Sequence, residues 1–138
     1  MAISCQFVRP DRLLYEGEVA SVVLVTQQGE LGIWPRHASE IVALGDGIVR
    51  LTLLPEDGGT VERVIVSGGY AEIHDDTVII LADHARLTTD IEEDVVLDTR
   101  AKAEAKLAEL DADDHRHSYW ESKIRWCDLL LKHNESKS

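Results

Sequence analysis

Apolar residues in the first 88 or so positions fall in short β-branched runs, each ended by turn residues. Val19 to Thr26 stops at Gln27-Gln28-Gly29, and Ile48 to Leu54 stops at Pro55, before Asp57-Gly58-Gly59. Val61 to Val66 runs into Ser67-Gly68-Gly69, which reads as a turn before the next strand, Tyr70 to His74. Asp75-Asp76 then separates that strand from Thr77 to Ala82, although a tight hairpin normally uses a glycine there. Runs of this length with this spacing predict a small antiparallel sandwich or barrel.

The texture changes near residue 90. Asp90-Ile91-Glu92-Glu93-Asp94 places acids where the positive end of a helix dipole favours them. Arg100 to Leu110 is then a run of strong helix formers, with Val96, Ala103, Leu107 and Leu110 on one side. Asp111-Ala112-Asp113-Asp114 breaks the run and offers an N-cap for a second helix. There Trp120, Ile124, Cys127 and Leu131 form an amphipathic stripe, and the last residues, Asn134 to Ser138, are expected to fray. A loop this short predicts an antiparallel helix hairpin over 89–138, following a β domain over 1–88, hence an α+β chain.

Composition narrows the function classes. Net charge is −12, which repels phosphate backbones and anionic lipid, so neither nucleic acid nor a membrane surface is an expected partner. The charge is uneven: residues 113–138 carry 5 acids and 5 bases, whereas residues 1–89 carry 13 and 6. The last helix is therefore the segment best suited to approach an acidic partner. No run approaches the roughly 20 apolar residues of a membrane span, and the N-terminus lacks the features of a signal peptide, so a cytoplasmic location is expected. Cys5 and Cys127 lie near opposite ends and read as unpaired thiols.

Catalytic and metal chemistry find little support. His115 and His117 would face different directions on a helix, and no Cys or carboxylate set completes a metal site. His37 and His84 read as surface or interface residues. Ser67, His84 and Asp83 contain the letters of a hydrolase triad, but Ser67 sits in turn chemistry and the nucleophile-elbow pattern is missing. The segment Gln28 to Ala38 is more informative: two glycines and a proline permit sharp backbone changes, while Trp34 and His37 place amphipathic groups in an expected loop. That loop is either a structural connection with Trp34 half buried or a protein-contact surface.

Gly29-Glu30-Leu31-Gly32-Ile33-Trp34-Pro35-Arg36-His37-Ala38 resembles the G-E-L-G-I-x-P-x-H-A signature of the epsilon subunits of F-type ATP synthases. Pro10 to Val19 is similar to that family's opening strand pair. Val66-Ser67-Gly68-Gly69-Tyr70 and Val78 to Asp83 match its S-G-G and V-x-V-L-A-D segments in order and spacing. The resemblance covers residues 3 to about 110, and the last helix only in length and character.

The resemblance implies a non-catalytic central-stalk subunit, a β-sandwich that touches the gamma subunit and the polar loops of the c-ring at the cytoplasmic face of the membrane. Glu30 and His37, with Arg36 beside them, are then the c-ring contacts. Arg36 stands where many members have glycine, and Ser39-Glu40-Ile41 departs from the usual Pro-Leu-Leu. In family members the hairpin can also rise into the catalytic alpha/beta head and impede ATP hydrolysis. Arg116, Lys123, Arg125 and Lys132 are the candidate cations for that contact, with Trp120 and Trp126 as aromatic anchors, while Trp34 is the partner-contact candidate of the β-domain loop; Glu121, Asp128 and Glu135 dilute the cations. The nucleotide motif Ile/Leu-Asp-x-x-Arg-Ala is one residue short in Leu97-Asp98-Thr99-Arg100-Ala101. Asp98 and Arg100 therefore point about 200° apart on a helix, and no ATP or other cofactor is expected. The rival function is a free-standing β-sandwich adaptor that captures another protein through Trp34 and the hairpin.

Overall fold

A computed structural model describes residues 2–134. It divides into two compact units, Met1–Leu87 and Thr88–Ser138. The first holds seven strands: β1 (Ile3–Arg9), β2 (Arg12–Thr26), β3 (Gly29–Ile33), β4 (Glu40–Ala43), β5 (Asp46–Leu53), β6 (Val61–His74) and β7 (Thr77–Leu87).

Long strands shared between two layers build the sandwich. The C-terminal half of β2 pairs with β3 on one side and β5 on the other, and β5 continues to the start of β6 and the end of β7. In the other layer β4 pairs with the end of β6, which continues through the start of β7 to β1 and the N-terminal half of β2. Strand alternation aims one side of each layer inward: Ile3, Cys5 and Phe7 from β1, Val22 and Leu24 from β2, Val49 and Leu51 from β5. Phe7 is the single aromatic side chain fully buried in this core among the described residues, so aliphatic packing carries the layer contact. Cys5 lies in the core, where burial pushes its thiol up to about 12. Cys127 is also buried, and among the described residues the two cysteines are not joined in a disulfide.

The expected sandwich is present, but two local readings change. Val61 to His74 is one strand, not two, and Ser67-Gly68-Gly69 lies inside it. At these residues β6 leaves β5 and takes up β4, so the glycines serve a crossing between layers rather than a chain reversal. Gly29 to Ile33, expected as loop, is strand β3: Leu31 and Ile33 turn inward while Glu30 and Gly32 face out. Asp75-Asp76 does close a tight β6–β7 hairpin without glycine, with φ of 49° and 57°. Aspartate is among the few residues that tolerate this left-handed region.

In the second unit α1 (Glu93–Glu109) and α2 (His117–Lys132) pack as a hairpin, with Glu93 and Asp94 in the first turn of α1. The second helix starts later than the acidic break suggests. Its N-cap position is Arg116, without a side-chain cap, and the Asp114 carboxylate instead accepts the Arg116 backbone N–H at 2.9 Å. His115 consequently lies outside the helix. Val96 and Ala103 of α1 are buried as the periodicity indicates; on α2 the buried pair is Cys127 and Leu130, with Leu131 only partly covered. Residues 135–138, most of the segment expected to fray, lie outside the described residues. Among the described residues no helix is long and apolar enough to cross a membrane.

Candidate functional site

Edge strands β3 and β4 each hydrogen-bond to a single neighbouring strand. A groove of about 440 Å³ is lined from both by Glu30, Leu31, Glu40, Val42 and Ala43, with Thr26 at the end of β2 and Gln27 and Gln28 from the β2–β3 turn.

Glu30 is already partnered. Arg50 of β5 reaches across β2 and donates to its two carboxylate oxygens at 2.6 and 3.4 Å. This bond, with the Arg50 charge, holds the Glu30 carboxyl below its ordinary value. Glu30 therefore presents an oriented ion pair to a partner rather than a lone anion. A lowered folded-state value means that the pair contributes above the ordinary glutamate range and is lost as pH falls through the lowered value. In an NMR titration, Arg50→Ala should move the Glu30 midpoint upward; an unmoved midpoint would remove Arg50 as the cause.

The chain leaves β3 through Trp34, which is 59% exposed, its ring folded back over Gly32. A side chain at Gly32 would strike the indole at 2.6 Å from Cη2, so the glycine gives the ring its seat. Arg36 is exposed with φ of 72°, the left-handed conformation that favours glycine and that other residues seldom adopt. Its backbone N–H donates to Asp76 Oδ1 at 2.6 Å. His37 Nδ1 lies 2.7 Å from the Ala38 carbonyl; a carbonyl only accepts, so Nδ1 carries the proton. His37 Nε2 is then 3.6 Å from Glu40 Oε1, an ion pair when the ring is protonated. Ser39 Oγ and His74 Nδ1 share a hydrogen bond at 3.0 Å, and His74 Nε2 faces Asp75 Oδ2 at 3.0 Å.

Glu30, Trp34, Arg36 and His37 are thus carried by one strand and the loop that follows it. Arg50, Glu40, His74, Asp75 and Asp76 join these residues only in the structure; in sequence Asp75-Asp76 reads as a turn and Glu40 as part of a departure from the family pattern.

The hairpin candidates are mostly engaged. Arg116 is tied to Asp114, with guanidinium bonds of 3.1 and 2.8 Å, and this holds the Asp114 carboxyl well below the usual carboxylate range. Lys123 lies over the Tyr119 and Trp120 rings, 5.7 and 5.9 Å from their centroids, and those rings meet edge to face. Arg125 donates to Ser122 Oγ, Trp126 is partly buried, and Lys132 is exposed in the last turn of α2. Asp98 and Arg100 are not brought together: Asp98 pairs with Lys102 at 2.9 Å, while Arg100 bonds Asp128 of α2 at 2.6 Å and also Glu104. Ser67 and His84 face each other in register, but Ser67 Oγ donates to Asp46 at 2.7 Å. Among the described residues no group of three His, Cys, Asp or Glu is placed to hold a metal.

The family model described as "ATP synthase, Delta/Epsilon chain, beta-sandwich domain" matches residues 2–96. The ATP synthase epsilon chain of Halalkalibacterium halodurans is 43% identical over 100 residues, 72% of either chain. That of Leptospira borgpetersenii is 32% identical over 115 residues, 83% of this chain and 84% of its own. Among solved structures, a chain of the Euglena gracilis mitochondrial ATP synthase OSCP/F1/c-ring assembly is similar with a TM-score of 0.62 and 23% identity, over 98% of this chain and 78% of that one. The sandwich match alone spans more than half of the sequence, and the chain belongs to the ATP synthase epsilon-chain family.

Proposed function

We propose that the chain works as a non-catalytic rotor subunit on the cytoplasmic side of an ATP synthase, with its sandwich held between the gamma subunit and the c-ring. The observation that carries this reading is the joined surface of Glu30, Trp34, Arg36 and His37, where an oriented ion pair, an exposed indole and an imidazole share one strand and its following loop. Such a surface suits short polar loops recognised by a few charged groups, and it requires no membrane insertion. Family membership displaces the free-standing adaptor. The Ser67–Asp46 bond supports the non-catalytic reading, since the Ser67 hydroxyl is donated to a carboxylate rather than to an imidazole. With Asp98 and Arg100 bound to different partners, a calorimetric titration with ATP should show no tight binding.

The rotor assignment is tested by reconstitution. The chain should join a complex of gamma and the c-ring, and Glu30→Ala combined with His37→Ala should lower ATP-driven proton pumping while the sandwich stays folded. Failure to bind gamma would sink the assignment; unchanged pumping would remove these residues from the c-ring contact.

The hairpin supports a second role, restraint of ATP hydrolysis by contact with the alpha/beta head. Because Arg116 and Arg100 are committed to Asp114 and Asp128, its electrostatic grip would be modest. Tyr119, 59% exposed beside Trp120 and Lys123, offers the apolar and cation–π contact instead.

A further inference from the structure

The loop between β3 and β4, Trp34 to Ser39, is tied twice to the same distant turn. Arg36 N–H reaches the Asp76 carboxylate, 40 residues away in sequence, and Ser39 Oγ reaches His74. From its other side the turn is held by β1, because the Asp76 carbonyl accepts the Ser4 N–H at 2.9 Å. Arg36 is exposed, so water would satisfy its N–H if the carboxylate were absent. What the carboxylate adds is a short, charge-assisted bond with a fixed direction. That bond falls on the one loop residue whose backbone lies in the left-handed region, where surrounding structure must hold a non-glycine residue.

We propose that Asp76 is a positioning residue: its carboxylate clamps the Arg36 backbone and so fixes how Arg36 and His37 are offered to a partner. The clamp rests on the reading that this loop meets the c-ring. The geometry accounts for two unusual choices together. An arginine occupies a left-handed position that suits glycine, and the hairpin turn uses Asp-Asp where glycine would close it with less strain. A glycine at 76 would serve the turn but could not hold the loop.

Amide hydrogen exchange on the full chain, with ATP-driven proton pumping by the reconstituted enzyme, tests this. Asp76→Gly keeps the turn and deletes the acceptor, so exchange at the Arg36 amide should rise about tenfold or more, as expected for a lost bond to a charged group. Asp76→Asn tolerates the same backbone and retains a carbonyl oxygen, so exchange should stay within about threefold of wild type. Pumping should follow the same order, reduced in Asp76→Gly and restored in Asp76→Asn. Unchanged Arg36 exchange in Asp76→Gly, or equal loosening in both variants, would overturn the clamp. Loosened exchange with full pumping would overturn its positioning role if the Glu30→Ala, His37→Ala enzyme pumps poorly. If that enzyme also pumps normally, the c-ring reading fails instead, and the exchange data still decide whether the clamp exists.

Discussion

Replacing Gly69 by alanine is expected to destabilise the sandwich by about 4 kcal/mol, a loss typical of backbone strain combined with overpacking. Gly69 has φ of 111°, and a Cβ there would lie 2.8 Å from Ala82 Cα and overlap the Leu81 carbonyl oxygen. Both obstacles are backbone atoms of the paired strand β7, so no side chain can rotate away. For a domain of this size the melting midpoint should fall by roughly 20 °C. Gly58 supplies the control: its φ is 103°, yet nothing lies within 4 Å of a Cβ added there. Gly58→Ala carries conformational strain alone and should cost about 1 kcal/mol. Thermal melts of the two variants separate close approach from dihedral cost. Equal melting points would mean that β6 and β7 do not meet so closely at Gly69.

That contrast also shows what could be read in the sequence. Ser67-Gly68-Gly69 and Asp57-Gly58-Gly59 look alike as letters, and both read as turns. One is a turn, and the other is the middle of a strand that changes layers. The distinction lies in what stands opposite the glycine, which local composition does not encode. Strand β3 was obscured for a related reason: its two glycines suggested a loop, although Leu31 and Ile33 already carried the inward alternation. The four-residue strand β4 is too short to announce itself, with Ile41 left 70% exposed. The helices were legible as elements because 17 and 16 residues give several turns of periodicity, while the start of α2 was misplaced. The segment Asp111 to Asp114 reads as the source of a helix cap, but the Asp114 carboxylate faces the Arg116 backbone N–H and guanidinium. At the site, Glu30, Trp34, Arg36 and His37 were recognised through the motif. Their partners Arg50 and Asp76, 20 and 40 residues away, depend on register, which neighbouring residues do not encode.

Deleting residues 113–138 should remove more helix than it removes chain. The sandwich has its own core, from Ile3 to Ala85, and should melt as before. Helix α1 would keep its 17 residues but lose α2, including the Asp128 carboxylate that receives Arg100. A lone helix of that length is marginal in water, since its nucleation cost is spread over few hydrogen bonds. Exposed Val95 and Leu97 offer it no compensating burial. Far-UV circular dichroism should therefore lose the signal of α1 as well as that of the 16 residues of α2. Because the proposed rotor contacts lie in the sandwich, the truncated chain should still assemble. If the hairpin restrains hydrolysis, ATPase activity of the assembled enzyme should rise, and Tyr119→Ala with Trp120→Ala should reproduce most of that rise in the full chain. Retained α1 signal would show that this helix is supported independently of α2. Unchanged ATPase in the truncated enzyme would confine the chain to its coupling role, because the exposed aromatic cluster would then have no catalytic head to restrain.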